Sequence, residues 1–149
     1  MGIKSIQRTI QASPERTWAA FTDFEHAAEH VKGIESVEIL EPGEPGGAGM
    51  RFRETRRMGK RSHSEVLEIT GFQPPTQLCI ESDSCGGRFK TIMGFTPVPE
   101  GTRLDVELSF KPKSLLAKIC TPLKGLFLGA CLKVMQGDID DLTAMLERE

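Results

Sequence analysis

Between residues 34 and 111 the chain is a train of period-two segments cut by short Gly- and Pro-rich breaks. Residues 34–40 alternate and end in Glu41-Pro42-Gly43-Glu44-Pro45-Gly46-Gly47. Residues 50–58 and 61–72 flank Gly59-Lys60 as a hairpin. Gln73-Pro74-Pro75-Thr76 leads into 77–82, and Ser84-Cys85-Gly86-Gly87 leads into 88–98. Pro99-Glu100-Gly101-Thr102 leads into 103–111, where Leu104, Val106, Leu108 and Phe110 share one face. Alternation of this kind marks half-buried strands. Breaks this short forbid parallel pairing, because a parallel neighbour needs a crossover of about a dozen residues or more. The segment is therefore an antiparallel meander.

Helical patterns stand on both sides of it. Ile6, Arg8, Ile10 and Ala12 define one face of a first strand. Ser13 is placed to cap a helix whose first turn carries Pro14, and Trp18 and Phe21 follow at helical spacing. A second short helix is expected over 24–31, stopped by Gly33. After the meander, residues 115–149 are helical in character, with a break or kink at Pro122. Leu128, Leu132, Met135, Ile139, Leu142 and Leu146 form one stripe at three/four spacing. A sheet with one long amphipathic helix to cover it is α+β.

Composition excludes several classes. The 149 residues suit one domain, expected over 1–149. Nineteen Lys and Arg against 21 Asp and Glu leave a net charge of −2, so a nucleic-acid binder is not expected. No secretory pattern opens the chain and none of the four cysteines forms a CxxC, which points to reduced thiols and a cytoplasmic protein.

Several phrases carry a family resemblance. They are Ala12-Ser13-Pro14-Glu15-Arg16-Thr17-Trp18 with Phe21-Thr22-Asp23, Gly33-Ile34-Glu35-Ser36-Val37-Glu38-Ile39-Leu40, and residues 47–53. Pro74-Pro75, Phe95-Thr96-Pro97-Val98, Gly101-Thr102-Arg103-Leu104 and Asp140-Asp141-Leu142 complete the set. Together with the order of elements, they resemble the START-like (SRPBCC) superfamily, most nearly its polyketide cyclase/dehydrase and lipid-transport branch. The resemblance implies a helix-grip fold, in which a curved antiparallel sheet of about seven strands wraps a long C-terminal helix. It also implies a pocket between them for a lipid, polyketide-like or other apolar or amphipathic molecule. These motifs are structural and transfer no catalytic residue.

On the helix-grip layout, Phe52, Met93, Phe95, Leu108 and Phe110 from the sheet and Leu128, Leu132 and Met135 from the helix would line that pocket. A filled core without a cavity uses the same residues. Alternation puts Glu54 and Arg56 on the face of Phe52, His63 and Glu65 on the face of Leu67 and Ile69, and Arg8 between Ile6 and Ile10. As a catalytic set, His63 would shuttle a proton, Glu65 or Glu54 would orient it, and Arg8 or Arg56 would hold an enolate or carboxylate oxygen. Solvated side chains at a pocket mouth satisfy the same pattern.

Three classes of function follow: a carrier of a small hydrophobic ligand, a cyclase- or dehydratase-like enzyme, and an interaction module without a ligand. The chain is expected as a monomer or homodimer, with no cofactor. His26-Ala27-Ala28-Glu29-His30 matches an H-x-x-E-H zinc pattern, but it falls on a short helix of the wrong fold, and no metal is expected. Gly125-Leu126-Phe127-Leu128-Gly129 is a G-x-x-x-G, yet only eight residues separate Lys124 from Lys133, against the about 20 needed to span a bilayer. It reads as core, with a transient membrane contact left open. Gly125, Gly129 and Gly137 are expected where a ligand or the sheet approaches the helix closely. Arg51, Arg53, Arg56, Arg57, Lys60 and Arg61 gather on one hairpin, a solvated face or a site for an anionic partner.

Overall fold

The computed structural model describes residues 2–43, 47–84, 86–113 and 124–148. Strand β1 (Gly2–Ile10) leads into α1 (Pro14–Thr22), a 3-10 turn (Phe24–His26) and α2 (Ala27–His30). The strands β2 (Ile34–Glu41), β3 (Arg51–Met58), β4 (Arg61–Gln73), β5 (Gln77–Ser84), β6 (Gly87–Val98) and β7 (Gly101–Pro112) follow. Helix α3 (Lys124–Arg148) ends the described chain. The expected break at Pro122 lies outside the described residues. All strand pairs are antiparallel, in the order β1-β7-β6-β5-β4-β3-β2, so β1 and β2 are the two free edges of one open sheet. This is the helix-grip arrangement. No helix among the described residues is long and apolar enough to cross a membrane.

Local chemistry sets the first helices. The Ser13 side chain accepts a hydrogen bond from the Arg16 amide at 3.2 Å, and Pro14 occupies the first turn, where its missing N–H costs nothing. The expected helix over 24–31 is broken in two. His26, with its Nδ1 2.8 Å from Asp23 Oδ1, leaves helical geometry at φ −106°, ψ 12°.

One end of the grip is sealed. Ile10, Ile69, Leu78 and Leu104 are completely buried, together with Trp18, Phe21, Phe95, Ile139, Leu142 and Leu146. Trp18 meets Phe72 and Phe95 edge-on, both at 5.2 Å between centroids, a favoured aromatic geometry. Thr17 and Thr102 are buried there as well, and the Thr102 hydroxyl donates to the Ala12 carbonyl at 2.8 Å, which satisfies both groups. At the other end Phe89, Leu108 and Phe110 form a second apolar cluster with Cys131 against it. Gly87 is needed there, since a Cβ would sit 2.4 Å from the Phe110 ring.

An aspartate run on α3 ties the helix to both sides of the open sheet. Asp138 takes Arg56 of β3, and Asp140 takes Arg8 of the β1 edge. Asp141 accepts from the Lys32 amide, just before the β2 edge, at 3.0 Å. Glu147 adds a bond from the Gln11 amide at 2.9 Å. The helix therefore holds the two edges of the sheet in one arrangement.

Candidate functional site

The strand register defines the face that looks at α3. Phe52 is opposite Leu67, Glu54 opposite Glu65, and Arg56 opposite His63. Leu78 is opposite Met93 and Ile80 opposite Thr91, while Met93 and Phe95 pair with Val106 and Leu104. Along this face burial changes steeply. In the middle Leu67, Ile80, Thr91 and Met93 are only half-buried, as are Leu132, Met135 and Asp138 on α3. Leu67, Ile80, Met93 and Met135 pack against the main core yet keep part of their apolar surface exposed.

Polar chemistry stands beside these half-buried residues. The Arg56 guanidinium donates from Nε to Glu54 Oε2 at 3.0 Å and from Nη1 to Asp138 Oδ1 at 3.0 Å. Its Nη2 reaches Asp138 Oδ2 at 2.5 Å and Glu54 Oε1 at 3.4 Å. The three side chains are 18%, 13% and 24% exposed for Arg56, Glu54 and Asp138, so the cluster is largely withdrawn from water. Next to it the buried Ser82 hydroxyl donates to Glu65 Oε1 at 2.7 Å.

Burial raises the Glu54 pKa; Arg56 opposes the shift, and Asp138 and Glu65 add to it. Burial raises Asp138 as well, again against the pull of Arg56. For Arg56 burial works against the charged form, but the hydrogen bonds and charges of Asp138 and Glu54 outweigh it and hold the pKa above its ordinary value. The cluster combines a fixed cation with two carboxyls that hold protons more readily than usual.

The expected site residues divide into groups. Phe52 and Phe95 are buried in the main core: Phe52 stacks on Phe24 at 4.9 Å, and Phe95 is walled in by Trp18 and Phe21. Leu108 and Phe110 belong to the second cluster. Met93, Leu132 and Met135 stand at the half-buried middle. The Leu128 side chain is not among those described. Glu54, Arg56 and Glu65 are together. His63 shares their face but is exposed, and among the described residues no carboxylate bonds it. Arg8 gives one Nη1 bond to Asp140, whereas Arg56 turns Nε, Nη1 and Nη2 to Glu54 and Asp138, so Arg56 offers no free fork to an enolate.

Two residues were missed in the sequence. Asp138 is the one acid inside the apolar stripe, three residues after Met135 and four before Leu142, and that misplacement is its signal. Ser82 continues the alternation of Leu78 and Ile80 and was legible in the same way.

Other expectations are corrected. The basic hairpin is partly neutralised across β2 and β3, where Arg51 meets Glu41, Arg53 meets Glu38 at 2.5 Å, and Arg57 meets Glu35. The acidic row on the edge strand thus offsets three of the six cations, and Glu54 and Asp138 take a fourth, Arg56. The sheet does not approach two of the helix glycines closely: a Cβ at Gly129 or Gly137 would meet no protein atom within 4 Å. Gly125 is not among the described side chains. The H-x-x-E-H match falls across the break between the 3-10 turn and α2, so His26 and His30 do not share one helix. Two open grooves lie on the outer sheet face, one lined by Arg51, Glu68, Glu81 and Arg88, the other by Gln7, Ile92 and Asp105.

A family model described as polyketide cyclase / dehydrase and lipid transport matches residues 4–149. Among solved structures the chain is similar to the di-domain ARO/CYC BexL from the BE-7585A biosynthetic pathway. The TM-score is 0.82 and the identity 15%, over 98% of this chain and 50% of that one. It is similar to Ara h 8.0201, with a TM-score of 0.71 and 16% identity over 99% and 100% of the two chains. It is also similar to protein CV1439 from Chromobacterium violaceum, with a TM-score of 0.70 and 18% identity over 99% of both. At these identities the likeness carries the fold alone. No curated protein matches the chain.

Proposed function

The chain belongs to the polyketide cyclase / dehydrase and lipid transport family, and on that premise we propose that it is a single ligand-binding domain that holds or carries a small hydrophobic or amphipathic molecule between the inner sheet face and α3. The half-buried row of Leu67, Ile80, Met93 and Met135 carries the reading. Fully burying such a side chain is worth about 1.5–3 kcal/mol, and the neighbouring sealed end collects all of that stabilisation while this half-buried row collects part of it. A ligand with matching apolar surface would recover it.

Titration with the neutral apolar fluorophore N-phenyl-1-naphthylamine tests the proposal. The wild type is expected to give a saturable rise in fluorescence. Ile80→Trp and Met93→Trp, which fill the middle of the face, are expected to abolish the rise while the protein stays folded by circular dichroism. A wild type that gives no saturable signal sinks the reading. Native mass spectrometry of gently purified protein would identify a retained ligand.

A cyclase- or dehydratase-like enzyme is the second reading, and Glu54 favours it. A carboxyl whose burial holds its pKa above the ordinary value, beside a fixed cation, is suited to give and take a proton. Turnover of a polyketide-like substrate that survives Glu54→Gln would exclude this role.

A further inference from the structure

The polar groups beside the apolar middle are not equally free, and the difference bears on which head group a ligand can carry. Both oxygens of Glu54 and both of Asp138 accept from Arg56. The guanidinium is correspondingly engaged and has no fork to offer. Arg8 of the same sheet face is bonded to Asp140, and Lys4 and His63 on that face are exposed. Glu65 differs. Its Oε1 accepts from Ser82 at 2.7 Å, which fixes the carboxylate in orientation, and among the described residues its Oε2 receives no hydrogen bond. The side chain is half-buried and stands directly opposite Glu54.

We infer that Glu65, oriented by Ser82, is the acceptor that selects the ligand's head group, and that the site takes amphiphiles ending in a hydrogen-bond donor, a hydroxyl or an ammonium, in preference to carboxylates. This rests on the ligand-binding reading proposed above. Three carboxylates, Glu54, Glu65 and Asp138, surround a single engaged arginine. A carboxylate head would meet like charges on two strands and the helix, with the Arg56 guanidinium already engaged and a neutral hydroxyl, Thr91, as the donor left in the half-buried middle, and burying a charge so weakly paired is strongly unfavourable. A hydroxyl or ammonium donates to the open oxygen of Glu65 and adds no repulsion. A hydroxyl leaves the charge of the site unchanged, whereas an ammonium also relieves the repulsion between Glu54 and Glu65.

Three probes of equal chain length decide it: 1-dodecanol, dodecylamine and dodecanoate, the alcohol below its solubility limit and the two ionic amphiphiles below their micelle concentrations. Each displaces N-phenyl-1-naphthylamine from the wild type, Glu65→Gln and Ser82→Ala. The amine and the alcohol are expected to displace the fluorophore at about tenfold lower concentration than dodecanoate. Glu65→Gln is expected to collapse the amine-to-carboxylate ratio toward one. Ser82→Ala, which keeps the charge but frees its orientation, is expected to shrink the ratio in part. Dodecanoate binding as tightly as the amine, or an unchanged ratio in Glu65→Gln, overturns the inference and leaves the ligand-binding reading standing. Failure of the fluorophore to bind the wild type overturns both. An advantage for the amine alone assigns the head group to cations; an equal advantage for the alcohol assigns it to neutral donors. Both support the role of Glu65.

Discussion

Arg56 and Arg88 keep the same kind of company on opposite faces of the sheet. Arg56 bonds Glu54 and Asp138 on the inner face. Arg88 meets Glu68, Glu81 and Asp83 on the outer face, where Lys113 also bonds Asp83. The carboxyls respond in opposite directions. Burial raises Glu54 and Asp138. Outside, the Thr70 hydroxyl and then Arg88 lower Glu81, and Lys113 and then Arg88 lower Asp83. Inside, desolvation is the largest influence and sets the sign; outside, the hydrogen bonds of Thr70 and Lys113 outweigh it. The inner cluster is strained toward protonation and depends on its cation. The outer one is a solvated network that holds neighbouring strands at little cost.

Removing each cation should break the comparison most visibly. Arg56→Met leaves two carboxylates largely buried without a partner and is expected to cost about 3–5 kcal/mol in urea denaturation. Adding Glu54→Leu and Asp138→Leu to that variant should recover most of the loss, because an apolar replacement of a buried ion cluster is often neutral. If Arg56→Met alone were nearly neutral, the inner cluster would be as wet as the outer one.

The pH dependence should separate the clusters next. The folded pKa values of Glu54 and Asp138 lie above the unfolded ones, so the folded state binds their protons more tightly. Their contribution falls as pH rises from the ordinary carboxylate value to the raised one, and is level above it. Glu81 contributes oppositely, with stability present above the ordinary value and lost as pH falls toward its lowered pKa. Stability measured across this range should decline less steeply with rising pH in Glu54→Gln than in the wild type. An identical slope would show that Glu54 is not desolvated.

Gly137 precedes Asp138 and faces open space. Gly137→Ala should therefore stabilise the fold by about 1 kcal/mol through helix propensity, read as a higher urea midpoint. A loss instead would mean that the helix needs freedom beside the inner cluster. The smallest effect is expected for Arg88→Met, no more than about 1 kcal/mol and fading in high salt. A cost that salt does not reduce would place Arg88 in a drier setting than its exposure indicates.

The same contrast explains what could be read in advance. The meander was legible because alternation and short Gly/Pro breaks are local signals. Ser13 and Pro14 marked the helix start for the same reason. The grouping of Glu54, Arg56 and Glu65 on one face followed from alternation, and the register bears it out. The ion pairs of the basic hairpin were not legible, because Arg51, Arg53 and Arg57 meet glutamates of another strand. Asp138 was passed over because its partner lies 82 positions away.

The amino-acid sequence by itself determined the order of the elements, the antiparallel meander and which residues share a face, since each follows from backbone periodicity over a few residues. Only the tertiary structure decided which charges on a face are spent on one another and which acceptor is left open. Arginine can bond any carboxylate within reach. What comes within reach depends on the curvature that lets Arg56 of β3 meet Asp138 on α3, and burial then bears on whether each pKa rises or falls.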